Sequence, residues 1–211
     1  MNSLIFSSKD ILEMEQRRRA NFINSLTGFK SASLIGTIDL EGNTNLAIFS
    51  SVVHLGSDPA LVGFINRPDS ARRHTLENIL ETGCYTINHI NDTIYNEAHQ
   101  TSARYPKNIS EFEATGLTPE FGNLLKAPYV KESTIKYGME FIETHELKVN
   151  GTLLIIGKVV EIIIPEMSLL NNGAIDIEKS KTIAISGLDS YHLTDRIATL
   201  EYAKTDNFLK K

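Results

Sequence analysis

The sequence predicts a mainly β protein, an antiparallel barrel or sandwich with helices inserted among the strands rather than alternating with them. Three observations carry that expectation. Short runs rich in branched residues recur along the chain, separated by turn signals. Two of the longest, "IKYGMEFIETHELKV" and "TLLIIGKVVEIII", are joined by Asn150-Gly151, the pair best suited to a tight hairpin turn. Finally, no G-x-G-x-x-G follows a strand and no G-x-x-x-x-G-K-[ST] occurs, so neither a doubly wound dinucleotide fold nor a P-loop is supported.

Taken in order, residues 8 to 26 read as a helix, with apolar positions at Ile11, Leu12, Met14, Phe22, Ile23 and Leu26. Its "RRR", Arg17 to Arg19, is expected on a solvated face, with Glu13 and Glu15 as compensating charge. "SASLIGTIDL" is a strand, "EGNTN" a turn, and "LAIFSSVVHL" a second strand with Ser50 and Ser51 in its middle. "SDP" turns the chain into a third strand, "ALVGFI". The loop "NRPDSARRHT" then enters a short helix, with Thr75 as cap or first-turn residue, Leu76, Ile79 and Leu80 as its buried stripe, and Gly83 as its stop. "CYTINHI" is a strand, residues 93 to 103 look helical, and "YPKNISEFEATGLTPE" is irregular with one short helical turn. After the long hairpin the last 45 residues are weakly patterned and end in a polar tail expected to be mobile. With no linker, repeat or low-complexity stretch, residues 1–211 are expected to form one domain.

Composition narrows the function classes. The chain has 211 residues and a formal net charge of −5, which argues against a nucleic-acid binder. No apolar run reaches the roughly 18 to 20 residues of a membrane span, and the N-terminus lacks a signal-peptide core. Cys84 is the single cysteine, so an internal disulfide framework and a thiolate zinc cluster are excluded. Cys84 itself reads as a small buried apolar residue. A cytoplasmic protein without membrane or nucleic-acid partners is the expectation.

Against that acidic background the loop at 66–75 gathers Arg67, Arg72, Arg73 and His74 with the hydroxyls of Ser70 and Thr75. It runs from a strand into a helix start, where unpaired N–H groups and the helix dipole favour an anion. Phosphate suits these donors best. The plainer alternative is that the arginines pair with Asp69 or Glu77 on the surface. Ser50 and Ser51, one hairpin upstream, either satisfy local backbone groups or offer polar contacts to the flat ring of a phosphorylated cofactor.

"NTNLAIFSSVVHLGSDPALVGF", "RHTLENILETGCYTINHI", "AHQTSARYP" and "EFEATGLTPE" resemble, in order and spacing, the flavin reductase-like family of FMN-binding split-barrel proteins. The resemblance spans roughly residues 30 to 165. It implies an antiparallel split β-barrel of Greek-key type, a homodimer, and FMN near the subunit interface. It further implies ring contacts from Ser50, Ser51 and the backbone of Val52, and a phosphate grip from Arg67, Arg73, His74 and Thr75. Ser102 and Ala103 match a loop that approaches the flavin. The chain departs from the common pattern at Ile48, where many members have proline, and at Val52 or Val53, where many have an aromatic. It also has "FKS" where many have Pro-Arg-Pro. These differences bear on the pocket of the second substrate.

The implied activity is an FMN-dependent oxidoreductase that passes hydride from NAD(P)H through bound FMN to free flavin or a small acceptor, with a monooxygenase as a conceivable partner. FMN carries the redox chemistry, so no general acid or base is required and none stands out. The alternatives are an FMN-binding carrier or electron-transfer protein with little NAD(P)H turnover, and a non-redox module for another phosphorylated ligand. His54, His89, His99 and His145 lack metal-ligand spacing and are expected to be structural or on the surface. His192, next to Tyr191, is a candidate to approach the cofactor. Glu140, Glu143 and Glu146 fit strand alternation better than an acid/base pair.

Overall fold

The protein is described here from a computed structural model covering residues 3–68 and 74–205. The N-terminal segment is two helices, α1 (Ser8–Glu13) and α2 (Gln16–Ser25), where the sequence suggested one. The break lies at Met14 and Glu15. Ser7 and Asp10 form a reciprocal capping box on α1, and the Glu15 carboxylate accepts the Arg17 and Arg18 N–H groups at 2.9 Å each. Glu15 therefore starts a helix rather than serving only as surface counter-charge.

The strands and helices that follow are β1 (Lys30–Ser31), β2 (Ser33–Ile38), β3 (Thr44–Phe49), β4 (Val53–Ser57), β5 (Ala60–Asn66), α3 (His74–Thr82) and β6 (Cys84–His89). Next come α4 (Tyr95–Gln100), α5 (Glu111–Thr115), β7 (Pro119–Glu120), β8 (Tyr129–Val130), β9 (Lys136–Leu147), β10 (Thr152–Ile163), β11 (Ala184–Ser186) and β12 (Ser190–His192). As read from the sequence, Gly83 ends α3: it adopts φ +70° and its N–H returns to Ile79 O at 2.9 Å. β11 and β12 fall in the stretch that looked unpatterned, because three-residue strands are too short to show a period.

Among the described residues, seven strands form one antiparallel sheet in the order β3-β2-β6-β9-β10-β5-β4. Its two edges, β3 and β4, are consecutive in the chain, so the sheet must curl to bring them together. The expected single strand over 46–55 is broken for that reason: Ser50 to Val52 turn the chain from one edge to the other. Ser51 Oγ donates to Ile65 O at 3.2 Å and accepts the Ile65 N–H at 3.1 Å, fastening the turn to β5.

Period-two alternation sorts the strands' side chains to two faces. Ile35, Phe64, Tyr85, Ile87, Met139 and Ile155, from five strands, meet in one buried interior that Ile79 of α3 plugs. Leu34 and Leu46 face outward and pack with Ile94, Ala98, Phe112 and Ile185, which holds α4, α5 and β11 against the barrel wall. The small sheet β1-β11-β12 lies on that outer side.

One close approach fixes the barrel interior. At the irregularity between Ile156 and Gly157, a side chain on residue 157 would run into Tyr85 Oη and stand 3.0 Å from Glu140 O. The Tyr85 ring thus occupies the space glycine leaves, and its buried hydroxyl has no hydrogen-bond partner among the described residues. Gly157→Ala is expected to destabilise the fold by about 1–3 kcal/mol, as overpacking does. Tyr85→Phe, which removes an unsatisfied hydroxyl, is expected to be neutral or stabilising. Urea unfolding of both variants checks the pair, and a costly Tyr85→Phe would reveal a partner for that hydroxyl.

Candidate functional site

A cleft of about 990 Å³ opens beside the outer edge of β3, at the upper end of the range for small-ligand sites. Ser50, Ser51, Arg67, His74, Thr75, Ser102 and Ala103 all line it, so the structure brings these sequence candidates to one place. Val52 does not: its side chain packs toward the barrel interior, and its carbonyl accepts the Ser31 hydroxyl at 3.2 Å. Arg73 lies outside the described residues, as do Asp69, Ser70 and Arg72. The Ser51 hydroxyl is already committed to Ile65, so what this residue can offer a ligand is its backbone.

Because β3 is an edge strand, every second backbone amide points away from the sheet. Leu46 N–H leaves the ladder in this direction and is taken by Glu111 Oε2 at 3.0 Å. Ile48 follows at a step of two, so its backbone groups face the cleft as a ready edge for a planar, hydrogen-bonding ligand, and Ser50, just past the strand end, lines the same cleft. At the start of β3, Asn45 Nδ2 donates to Thr75 Oγ1 at 3.1 Å and to Thr37 Oγ1 at 3.3 Å. This contact explains the asparagine that precedes "LAIFSS" in the first of the quoted stretches. With a lone pair of Thr75 engaged, its hydroxyl proton is free to donate from the first turn of α3.

Several residues here were missed by sequence reasoning. Asn66, only 7% exposed and lining the cleft, has its Nδ2 without a partner among the described residues. A buried unpaired amide beside a cleft is a donor awaiting a ligand or water. Asn24 of α2 takes Arg67 Nη2 on its side-chain oxygen at 2.9 Å and Lys30 Nζ on its backbone oxygen at 3.3 Å. Lys30 also donates to Gly187 O at 2.7 Å; burial, and then the neighbouring Arg67, hold its ammonium below the usual lysine range. Arg67 thus ties to α2 rather than to Glu77. Arg104 and Lys107 add positive charge to the lining, and Glu111 is its single acid among the described residues.

His99 is exposed and makes a structural hydrogen bond, as expected, but it does so at the cleft. It lines the cleft, and its Nδ1 shares a 2.9 Å hydrogen bond with the Tyr191 hydroxyl, whose pKa is pushed up to about 12 by burial and then by Asp189. His192, the anticipated neighbour of a cofactor, bonds Ser186 Oγ at 2.8 Å and packs on Phe29 at 4.8 Å between ring centroids. Tyr191, with Ile23, Ile185 and Leu188, forms an apolar and aromatic wall facing the β3 edge. The whole can hold an anion at the α3 terminus, a flat polar ring along β3, and an apolar surface opposite.

Burial raises the Glu111 carboxyl above its usual 4.5, against the lowering effects of the Leu46 N–H and His74. A raised acid binds more protons folded than unfolded, so its ionisation subtracts stability as pH rises from 4.5 through the raised value. Glutamine keeps an acceptor for Leu46 N–H and cannot ionise. The melting-temperature difference between Glu111→Gln and the parent is therefore expected to grow more positive from acidic to neutral pH; a flat or opposite trend sinks this account.

Comparison with known proteins agrees with the fold. The sequence profile described as flavin reductase like domain matches residues 29–176. A split-barrel chain from Shewanella frigidimarina NCIMB 400, assigned as a flavin reductase, superposes with a TM-score of 0.92 at 54% identity, covering 95% of this chain and 100% of that one. An uncharacterized protein of Aquifex aeolicus (strain VF5) is 26% identical over 158 residues, 72% of this chain and 78% of its own. Nitrilotriacetate monooxygenase component B from Bacillus cereus shares the fold at TM-score 0.82 and 21% identity, over 95% of this chain and 100% of that one. With the profile covering most of its length, this split-barrel chain belongs to the flavin reductase-like family.

Proposed function

We propose that the protein is an FMN-dependent oxidoreductase, in which bound FMN takes hydride from NAD(P)H and passes electrons to free flavin or a small acceptor. The observation that carries this reading is the cleft itself, with an anion-binding helix start at one end and an open strand edge leading away from it. His74 and Thr75, with Arg67 and Arg73, hold the phosphate by charge and hydrogen bonds. The outward backbone of Ile48, Ser50 and Ser51 receives the ring's polar edge. Ser102 and Ala103 close the cleft from the loop after α4. The chain's own contribution is thus to bind and orient the flavin and to shield one side of it while another stays open to a second ligand.

This reading also takes the protein as a cytoplasmic homodimer with the cleft near the interface. Nitrilotriacetate monooxygenase component B, among its structural neighbours, is by name one component of a monooxygenase. That makes an oxygenase supplied with reduced flavin a partner of the kind proposed.

Purified protein is expected to be yellow or to become so with FMN, and a protein that FMN cannot bind would falsify the reading. Arg67→Ala and Thr75→Val should each weaken FMN by roughly 1.5–3 kcal/mol, the range for a hydrogen bond to a charged group. Thr75→Val should leave riboflavin, which lacks the phosphate, bound as in the parent. Stopped-flow mixing with NADH or NADPH should bleach the flavin colour. If neither nucleotide does so, the chain is a flavin carrier instead.

A further inference from the structure

The flavin reading uses Arg67 but gives no role to Lys30 beside it. Along β3, Asn45 is tied to Thr75, whereas Phe49, four residues on, pairs with Ser33 just beyond Lys30. Four strand residues separate these points by roughly 13 Å. At the far end two cations stand side by side: Lys30 and Arg67 are both moored on Asn24. The tethers are neutral oxygens, those of Asn24 and Gly187, and neither cation has a carboxylate partner among the described residues. Lys30 has spent two of its three donors in these bonds and Arg67 one of its five.

Two like charges held side by side, Lys30 partly buried and Arg67 exposed, with no carboxylate to neutralise them among the described residues, form an incomplete arrangement that an anion completes. A second observation points to the same need. Asn66, the residue before Arg67, carries its buried and unpartnered Nδ2 at the cleft lining. Around these donors stand Ile23, Leu188 and Tyr191, so the complementary molecule has an apolar, flat body as well as a negative group.

We propose that Lys30, beside Arg67, forms a second oxyanion seat in the cleft, which takes the carboxylate or phosphate of the co-substrate sharing the cleft with flavin. Arg67, with one of its five donors spent, keeps donors for this seat as well as for the flavin phosphate; Lys30 belongs to the second seat alone. The assignment of the occupant as a co-substrate rests on the flavin reading, whereas the seat rests on the cation pair.

Calorimetric titration of FMN-loaded protein with NADP⁺ against NAD⁺, and with benzoate against benzamide, tests the seat and separates its two sources. The parent is expected to prefer the more anionic member of at least one pair by about tenfold, which identifies phosphate or carboxylate as the occupant. Lys30→Met should abolish that preference. Lys30→Arg, which keeps the charge and serves as the control for folding, should retain most of it. The inference is overturned if the parent prefers neither anion or if Lys30→Met keeps the preference. It is overturned equally if Lys30→Met weakens FMN while sparing riboflavin, because the lysine would then belong to the flavin phosphate. Should the parent take up no flavin, the flavin reading fails, and the same titrations on the flavin-free protein still decide the seat.

Discussion

The structure depends on how an open antiparallel sheet closes without a continuous ladder between its edges. β3 and β4 are joined by three residues, and one hydroxyl, Ser51 Oγ, meets both backbone groups of Ile65 across the join. The closure takes β4 along β5 but leaves the outer side of β3 without a strand partner among the described residues. An unpaired strand edge is ordinarily a hazard that proteins cover. Here Glu111 covers one amide, and the rest of the edge becomes the floor of the cleft. The binding surface is therefore a by-product of barrel closure.

The two hydrophobic clusters divide the work. The interior cluster, plugged by Ile79, fixes the barrel and so the line of β3. The outer cluster, through Leu34 and Leu46, seats the helices and short strands whose loops supply Ser102, Ala103, Glu111 and Tyr191. Leu46 joins both purposes: its side chain packs outward while its amide is held by Glu111. Site geometry is thus referred to packed apolar residues, which transmit small displacements faithfully.

Much of this was legible in the sequence, for identifiable reasons. Strands long enough to show alternation were found, as were the Asn150-Gly151 hairpin turn and the Gly83 stop. The motif residues at 50–51, 67, 74–75 and 102–103 converge because each is close in sequence to the end of a strand or to one end of a helix. What stayed hidden depended on contacts between distant segments. Nothing local marks Asn24, Lys30 or Asn66 as neighbours, since their meeting follows from how α2, β1 and β5 are stacked. The break at Ser50 to Val52 was hidden because the apolar run continues through it, and periodicity cannot see a change of sheet edge. His99 was set aside for want of metal spacing, although its partner is a phenol 92 residues away in the chain.

α2 forms part of the cleft wall yet contributes no fully buried side chain of its own. Its links to the barrel end are polar, through Asn24 to Arg67 and Lys30. A segment with little buried apolar surface opens at a lower free energy than the whole molecule. The wall is in this sense a separate cooperative unit hung on a rigid frame. Local opening of this short helix is therefore expected to cost less than unfolding of the barrel.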